Sequence, residues 1–346
     1  MNTVKLSALR LYRIGMFVAL VVIAIGLPGS ASPYLLRVAT TVIVYTCLAI
    51  GLNLILGYCG LVSFGHAAFF GVGAYTVALL MLDRGWSYLP ALAVGVVLAL
   101  VAGAVVGLTA WRVRGDYLAL VTLGFASIAT LVTLNWISLT HGPAGVAGVP
   151  LPVIFGRQLS PGRDIYYLCL VGLAVVTVLS ALISRSYFGR ALLTIREDEI
   201  VARANGINVP AAKVAIFAIG AAIAGLAGAL QAASLGYVGP VSFNLDQSIL
   251  MVEIVVVGGM ASTWGPLIGS TILVAATELF RFSPVWRPAV FGLIMIVILS
   301  VRADGVAAIL GLGRGSSGRR AAGAASAQSP GEVAAVSDMD SERTAV

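Results

Sequence analysis

Charge is scarce in this chain. Charged residues make up 10% of its 346 residues and apolar residues 60%, whereas a soluble domain carries roughly 25% charged residues. Soluble helices need charged side chains at regular spacing on their outer faces, and here long charge-free runs occur instead. The composition therefore excludes an ordinary soluble domain and predicts an integral membrane protein.

The residue types that build metal, disulfide and nucleotide sites are also rare. The cysteines are Cys47, Cys59 and Cys169, which lie in or beside apolar runs without CxxC spacing. His66 and His141 stand far apart, and neither Lys5 nor Lys213 ends a GxxxxGK pattern. We expect no catalytic site, metal site or cofactor, and if ATP drives this protein, another chain hydrolyses it.

Apolar runs of membrane-helix length follow one another along the sequence. A spanning helix needs about 20 apolar residues, and the runs are 14–27, 38–56, 61–82, 88–110, 117–139, 165–183, 214–235, 249–260, 266–280 and 285–301. The first run can be interpreted as a signal peptide, but Pro33 disfavours cleavage there, so we expect a retained helix that extends toward Leu36. The predicted fold is all-α, a polytopic membrane protein with about 8 to 10 transmembrane helices.

The runs 249–260 and 266–280 are short, and the glycine-rich segment 258–265 separates them. They predict either two thin spans or one re-entrant helix pair. Because irregular backbone at membrane depth is tolerated only where protein buries it or water lines it, this segment is a candidate for the translocation path. We divide the chain into an N-terminal cytoplasmic segment with the first transmembrane helix (1–37), a main transmembrane domain (38–301) and a disordered cytoplasmic tail (302–346).

Lysine and arginine are distributed unequally between the two sides that these spans define. With the amino terminus in the cytoplasm, fifteen of the 21 Lys and Arg fall in inside segments and the others outside. This asymmetry satisfies the positive-inside rule. Both termini are therefore expected in the cytoplasm, with Cys59 in a cytoplasmic helix connection that reagents reach from inside-out vesicles.

Several residues inside the predicted bundle are polar or acidic, or are glycines of the broken segment. Polar groups in a membrane are costly, which makes each a functional candidate. The translocation-path candidates are Asn53, Ser63, His66, Glu253, Gly258, Gly259 and Glu278. For the small-residue segment 51–75 the alternative is tight helix packing, with small residues that let backbones approach closely.

The longest predicted cytoplasmic loop is 184–213, which we call the coupling loop. Its apolar spacing fits short amphipathic helices broken at Asn205-Gly206. Such helices dock into a partner's groove or rest on the lipid surface. In the docking interpretation, Leu192, Ile195 and Ile200 fill the partner's groove, and Gly206 permits the turn that ends the helix.

Five segments in order, 51–75, 114–125, 142–150, 189–209 and 253–269, resemble the permease subunits of branched-chain amino acid ABC importers of the LivM type. The resemblance implies a LivH-type partner permease, two cytoplasmic ABC ATPase subunits and a periplasmic amino-acid-binding protein around a chain in the bacterial inner membrane. It also implies that the coupling loop docks on the ATPases. The coupling-loop candidates are Gly189, Leu192, Ile195, Glu199, Ala202 and Gly206, of which only Ala202 and Gly206 match the importer pattern.

The leading hypothesis is thus an importer permease for leucine, isoleucine and valine. A relative that carries urea, short amides or other amino acids is a second interpretation. A proton-coupled secondary transporter that uses Glu253 and Glu278 is a third, although it has no evident need for a docking loop of this length. An intramembrane enzyme is disfavoured, because no third group orients Ser63 and His66 as a nucleophile and its base.

Overall fold

The computed structural model describes residues 25–29, 31–112, 116–154, 156–280, 287–301 and 306. Within these residues the chain is a helical bundle with six helices long and apolar enough to cross a membrane. The helices are α1 Pro33–Leu52, α2 His66–Arg84, α3 Tyr88–Arg112, α4 Asp116–Asn135, α5 Ile137–Thr140, α6 Arg163–Arg185, α7 Tyr187–Glu197, α8 Glu199–Ala204, α9 Val209–Leu235, α10 Leu245–Gly258, α11 Gly265–Leu279 and α12 Arg287–Val301. The predicted all-α membrane bundle is confirmed at this level.

Helix α1 begins at Pro33, before the predicted span at 38, so the domain boundary predicted at residue 37 lies inside this helix. The Ser32 hydroxyl accepts a hydrogen bond from the Leu35 amide at 3.3 Å and caps the helix. Pro33 stands at the first helical position, where its missing N–H costs nothing. The predicted run 14–27 lies mostly outside the described residues, as does the predicted tail.

Helix α9 forms the centre of the bundle, because glycines let its backbone approach three neighbours closely. A Cβ on Gly73 of α2 would lie 2.0 Å from the Gly225 carbonyl oxygen of α9. A Cβ on Gly103 of α3 would lie 2.3 Å from the Ala221 Cβ, and one on Gly51 of α1 would lie 2.9 Å from the backbone of α9. The small residues of segment 51–75 therefore serve tight packing, which was the alternative interpretation.

Helices α10 and α11 form an antiparallel hairpin. They have 14 and 15 residues, which is about 21 Å and 22 Å of helix, less than the roughly 30 Å of a bilayer core. Their backbones touch, since a Cβ on Gly269 would lie 2.0 Å from the Ile254 carbonyl oxygen. Residues 259–264, which we call the hairpin tip, join them.

The hairpin lies along α1 through side-chain hydrogen bonds at three levels. Near the start of α1 the Tyr34 hydroxyl donates to Glu278 Oε2 at 2.8 Å. The Tyr45 hydroxyl donates to Gln247 Oε1 at 3.1 Å, and the hydroxyl oxygens of Thr46 and Ser270 lie 2.6 Å apart. Farther along, the chain after α1 contacts the hairpin tip. These contacts set the direction of the hairpin parallel to α1.

Four two-residue strands, which the all-α prediction did not include, lie in the connections among the described residues. β1 Val146–Ala147 pairs antiparallel with β4 Tyr237–Val238, and β2 Val153–Ile154 pairs with β3 Arg157–Gln158. β1, β2 and β3 lie in the connection between α5 and α6, where His141 and several glycines have positive φ, and β4 follows α9. Strands this short only join neighbouring loop segments by backbone hydrogen bonds, and the architecture remains helical.

Candidate functional site

The coupling loop folds as two short helices at one end of the bundle. Ser186 caps α7, because its hydroxyl accepts from the Gly189 amide at 3.2 Å. Asp198 separates the helices and caps α8 through a 2.6 Å hydrogen bond from the Ile200 amide to Oδ1. Helix α8 ends at Ala204, and Gly206 follows with φ +75°. The predicted break at Asn205-Gly206 is confirmed, and a side chain at residue 206 would be strained.

The apolar face of the coupling loop points into its own bundle. Leu192 is 0% exposed and Ile195 3% exposed, and Ala202 is also fully buried. The prediction that Leu192 and Ile195 fill a partner's groove is therefore wrong. A Cβ on Gly189 would lie 2.3 Å from the Ile183 carbonyl oxygen, so this glycine lets α7 fold back against α6. These residues anchor the loop to the chain's own helical bundle.

A second set of apolar side chains remains exposed on the coupling loop. Ile200 is 73% exposed, Val201 49% and Tyr187 69%. Ile200 is the member of the predicted groove-filling set that the structure leaves accessible. Exposed apolar side chains that cluster on a loop are typical of interaction surfaces.

An ion pair joins the coupling loop to the base of α9. The Lys213 ammonium is almost fully buried and donates to Glu199 Oε1. Arg203 lies 3.6 Å from the other oxygen of Glu199, one helical turn away. Because a buried charge is costly unless it is paired, this pair fixes α8 to α9. In the sequence, Lys213 is conspicuous because lysine is rare in this chain. No residue spacing indicated that Glu199 would be its partner.

The sequence-predicted polar path candidates near α1 and α2 are buried. Asn53 is 2% exposed, and Ser63 and His66 are 0% exposed. His66 Nε2 donates to the Leu48 carbonyl oxygen at 3.2 Å. Within the described part of the chain, His66 Nδ1 and the Ser63 hydroxyl have no hydrogen-bond partner. In this conformation the structure thus brings these three residues into the packed interior.

The glycine candidates form the turn of the hairpin. A Cβ on Gly258 would lie 2.0 Å from the Gly265 carbonyl oxygen, and Gly259 has φ +111°. Gly258 lets the two hairpin helices touch, and Gly259 adopts a conformation that other residues rarely reach. Both glycines are buried, so their role in this conformation is to shape the hairpin tip.

The two acidic candidates differ in their surroundings. Glu278 is partly exposed and accepts the hydrogen bond from Tyr34. Glu253 lies in the middle of α10, is partly exposed, and makes no hydrogen bond or ion pair with any residue in the described ranges. A carboxylate at membrane depth requires a water-filled cavity or a partner group. Glu253 therefore marks a face of the hairpin that cannot lie against lipid alone.

Comparison with known proteins gives one family. The model of the family described as branched-chain amino acid transport system / permease component matches residues 34–299. The chain belongs to this permease family. The matched residues include the coupling loop and the α10–α11 hairpin, so every element of the candidate site lies within the match.

The permease is similar to curated members of two kinds. It is 35% identical to the high-affinity branched-chain amino acid transport system permease protein LivM of Escherichia coli (strain K12), over 84% of this chain and 73% of that protein. It is 29% identical to the LivH permease protein of the same strain, over 76% of this chain and 90% of that protein. The probable LivM protein of Methanocaldococcus jannaschii is 22% identical over 76% of this chain. No solved structure matches the permease.

Cys59 tests the packing at the coupling-loop end. Its thiol is 2% exposed, and burial raises its pKa to about 12, with the nearby Glu199 adding to the rise and Lys213 opposing it. The expectation that inside-out vesicles expose Cys59 is therefore wrong for this conformation.

We expect an impermeant maleimide to leave all three cysteines unmodified from either side of the membrane, and to modify them after denaturation in detergent. Cys47 and Cys169 are fully buried and serve as internal controls. Mass spectrometry of intact cells and inside-out vesicles gives the measurement. Rapid labelling of Cys59 in intact cells would contradict the proposed orientation, and rapid labelling in vesicles at pH 7 would contradict the packing.

Proposed function

We propose that this chain is the permease subunit of an ABC importer and that it forms, with a second permease of the LivH type, the translocation path for leucine, isoleucine and valine. The observation that carries the proposal is the family match over residues 34–299, a range that runs from α1 through the coupling loop into α12. The similarity to both LivM and LivH proteins supports a pair of related permeases.

Energy would come from two ATPase subunits on the cytoplasmic side. The coupling loop suits this role because it is anchored through Leu192 and Ile195 and presents Ile200 and Val201 outward. Movement of bound ATPases would thus carry the whole loop, and the helices attached to it would switch the path between outward and inward access. A periplasmic binding protein would deliver the amino acid and supply most of the selectivity.

In the proposed arrangement the chain lies in a bacterial inner membrane, with both termini on the cytoplasmic side. Six helices are long and apolar enough to cross the bilayer, and the α10–α11 hairpin follows α1 from the level of Tyr34 to the end that carries the coupling loop. We propose two further spans, one formed by α12 and one by the N-terminal run, which lies mostly outside the described residues, for eight full spans beside the hairpin. Glu253 would face the path or the second permease.

Reconstitution tests this function and separates it from the proton-coupled alternative. The permease, its partner permease, the two ATPases and the binding protein, taken from the same operon, are placed in proteoliposomes that contain ATP. We expect ATP-dependent uptake of radiolabelled leucine that survives an uncoupler. The variants Glu253→Gln and Glu278→Gln are expected to retain uptake, because ATP hydrolysis supplies the driving force and neither carboxylate has to carry a proton.

Uptake that the uncoupler abolishes and that Glu253→Gln or Glu278→Gln eliminates would favour the secondary transporter. ATP-dependent uptake of urea or short amides in place of leucine would keep the importer and change the substrate. The control is a complex with an ATPase subunit that cannot hydrolyse ATP, for which no uptake is expected.

A further inference from the structure

Asn53 holds the hairpin tip through both ends of its side-chain amide. Its Nδ2 donates to the Ser262 carbonyl oxygen at 3.0 Å, and its Oδ1 accepts from the Ala261 amide at 2.9 Å. The two residues are more than 200 positions from Asn53 in sequence. A carboxamide offers a donor and an acceptor on one planar group, so it pairs with a backbone segment as another backbone would.

The tip that Asn53 holds has a costly backbone conformation. Ala261 has φ +55°, and apart from His141 it is the one non-glycine residue in the described ranges with positive φ. Such a conformation is costly for a residue with a Cβ and persists where the surroundings impose it. The Ala261 amide is one of the two tip groups that Asn53 binds, which makes Asn53 part of those surroundings.

The segment that carries Asn53 departs from regular α-helix. Residues Asn53–Tyr58 form a π-helix that continues α1, a feature frequently found at functional sites. Gly57 lies inside it, and a Cβ there would stand 2.2 Å from Asn53 Oδ1 and 2.5 Å from the Ala261 amide nitrogen. Glycine at this position therefore lets the hairpin tip reach the Asn53 amide.

The coupling loop holds the same π-helix from the other side. The guanidinium of Arg196, at the end of α7, donates from Nη1 to the Gly57 carbonyl oxygen. The stem of Arg196 also packs on Gly60, where a Cβ would lie 2.8 Å from its Cγ. One short segment thus contacts the coupling loop through Arg196 and the hairpin tip through Asn53.

We propose that Asn53 is a positioning residue that transmits movement of the coupling loop to the hairpin tip, through the contacts Arg196–Gly57 and Asn53–Ala261/Ser262. This inference rests on the proposed function, in which the coupling loop follows the ATPases and Glu253 of the hairpin faces the path or the second permease. The other bonds between α1 and the hairpin, those of Tyr34, Tyr45 and Thr46, hold helix flanks. The hydrogen bonds of Asn53 reach the turn itself. A displacement of the coupling loop would therefore be passed to the hairpin tip through them.

The first measurement is amide hydrogen exchange of the purified permease complex, which reports local opening. Asn53→Ala is expected to speed exchange in peptides that contain residues 259–264, because Ala261 loses its acceptor. Arg196→Ala is expected to speed exchange in the same peptides, because the π-helix that carries Asn53 loses the hydrogen bond from Arg196 to the Gly57 carbonyl oxygen. If Arg196 only stabilised α7, its substitution would leave the exchange rate at the hairpin tip unchanged. Asn135→Ala is the matched control, since Asn135 is exposed and donates to the Leu131 carbonyl oxygen of its own helix.

The second measurement is the amount of leucine transported per ATP hydrolysed in proteoliposomes. Asn53→Ala and Arg196→Ala are each expected to lower this ratio by about 2- to 30-fold, the range seen when mutations alter coupling between sites. Because both residues act in one relay, the double variant is expected to match the more severe single variant. Asn53→Asp keeps the acceptor for Ala261 and loses the donor to Ser262, so its ratio is expected to lie between wild type and Asn53→Ala.

The outcomes distinguish this inference from the proposed function. The proposed relay is wrong if Arg196→Ala leaves exchange at 259–264 at the wild-type rate. It is also wrong if the leucine-to-ATP ratio of the double variant falls by the product of the two single-variant factors. If the Asn53→Ala variant does not assemble into the permease complex, the exchange measurement on Arg196→Ala still tests the relay. Absence of ATP-driven leucine uptake in wild type would overturn the proposed function, whereas the exchange measurements would still support or contradict the link between loop and tip.

Discussion

Replacing Ile200 by Asp is expected to release the ATPase subunits from the permease during purification while the permease stays folded in the membrane. Ile200 is 73% exposed on the coupling loop, so a charge there costs the permease alone little. In a docked complex the same charge would be buried without a partner, and losses of about 2 kcal/mol or more, roughly 30-fold in affinity, are typical at such central contacts. Pull-down of the ATPases on tagged permease measures the effect.

Two controls accompany this prediction. Val241→Asp introduces the same charge at a residue that is 78% exposed outside the coupling loop, and we expect it to retain the ATPases. Leu192→Asp places a carboxylate at a fully buried position and is expected to lower the amount of folded permease, because an unpaired buried charge destabilises the fold. If Ile200→Asp retains both ATPases and transports leucine normally, the coupling loop is not their docking element.

Replacing Gly73 by Ala is expected to destabilise the whole bundle. The added methyl group would lie 2.0 Å from the Gly225 carbonyl oxygen, which is backbone and cannot rotate away. Helix α2 would have to move from α9, and overpacking of this kind costs about 1–3 kcal/mol, occasionally more. We expect a lower yield of monodisperse permease in detergent and a melting temperature several degrees below wild type.

Gly124→Ala is the matched control for Gly73→Ala. Gly124 also lies within a long helix, α4, but a Cβ there meets nothing within 4 Å. Alanine has the higher helix propensity, so this variant is expected to melt at or slightly above the wild-type temperature. Equal melting temperatures for Gly73→Ala and wild type would show that the α2–α9 contact is looser than the structure describes.

Local properties of the sequence determined much of the fold. Hydropathy located all six long helices, because a helix in lipid must be apolar along its whole length whatever it packs against. The break at Asn205-Gly206 and the short pair 249–280 also followed from local signals. The exact ends did not, because caps such as Ser32 extend α1 beyond its apolar run.

The tertiary structure decided what each candidate residue contacts. The spacing of Leu192 and Ile195 predicted an apolar helix face, yet spacing does not say whether a partner or the chain's own bundle covers that face. Asn53 was a candidate because it is polar at membrane depth, but its role at the hairpin tip depends on groups more than 200 residues away. The sequence by itself determined which segments are helices and which residues are costly to bury, since both follow from local hydropathy. Only the tertiary structure decided how those costs are met, because the hydrogen-bond and packing partners come from distant parts of the chain.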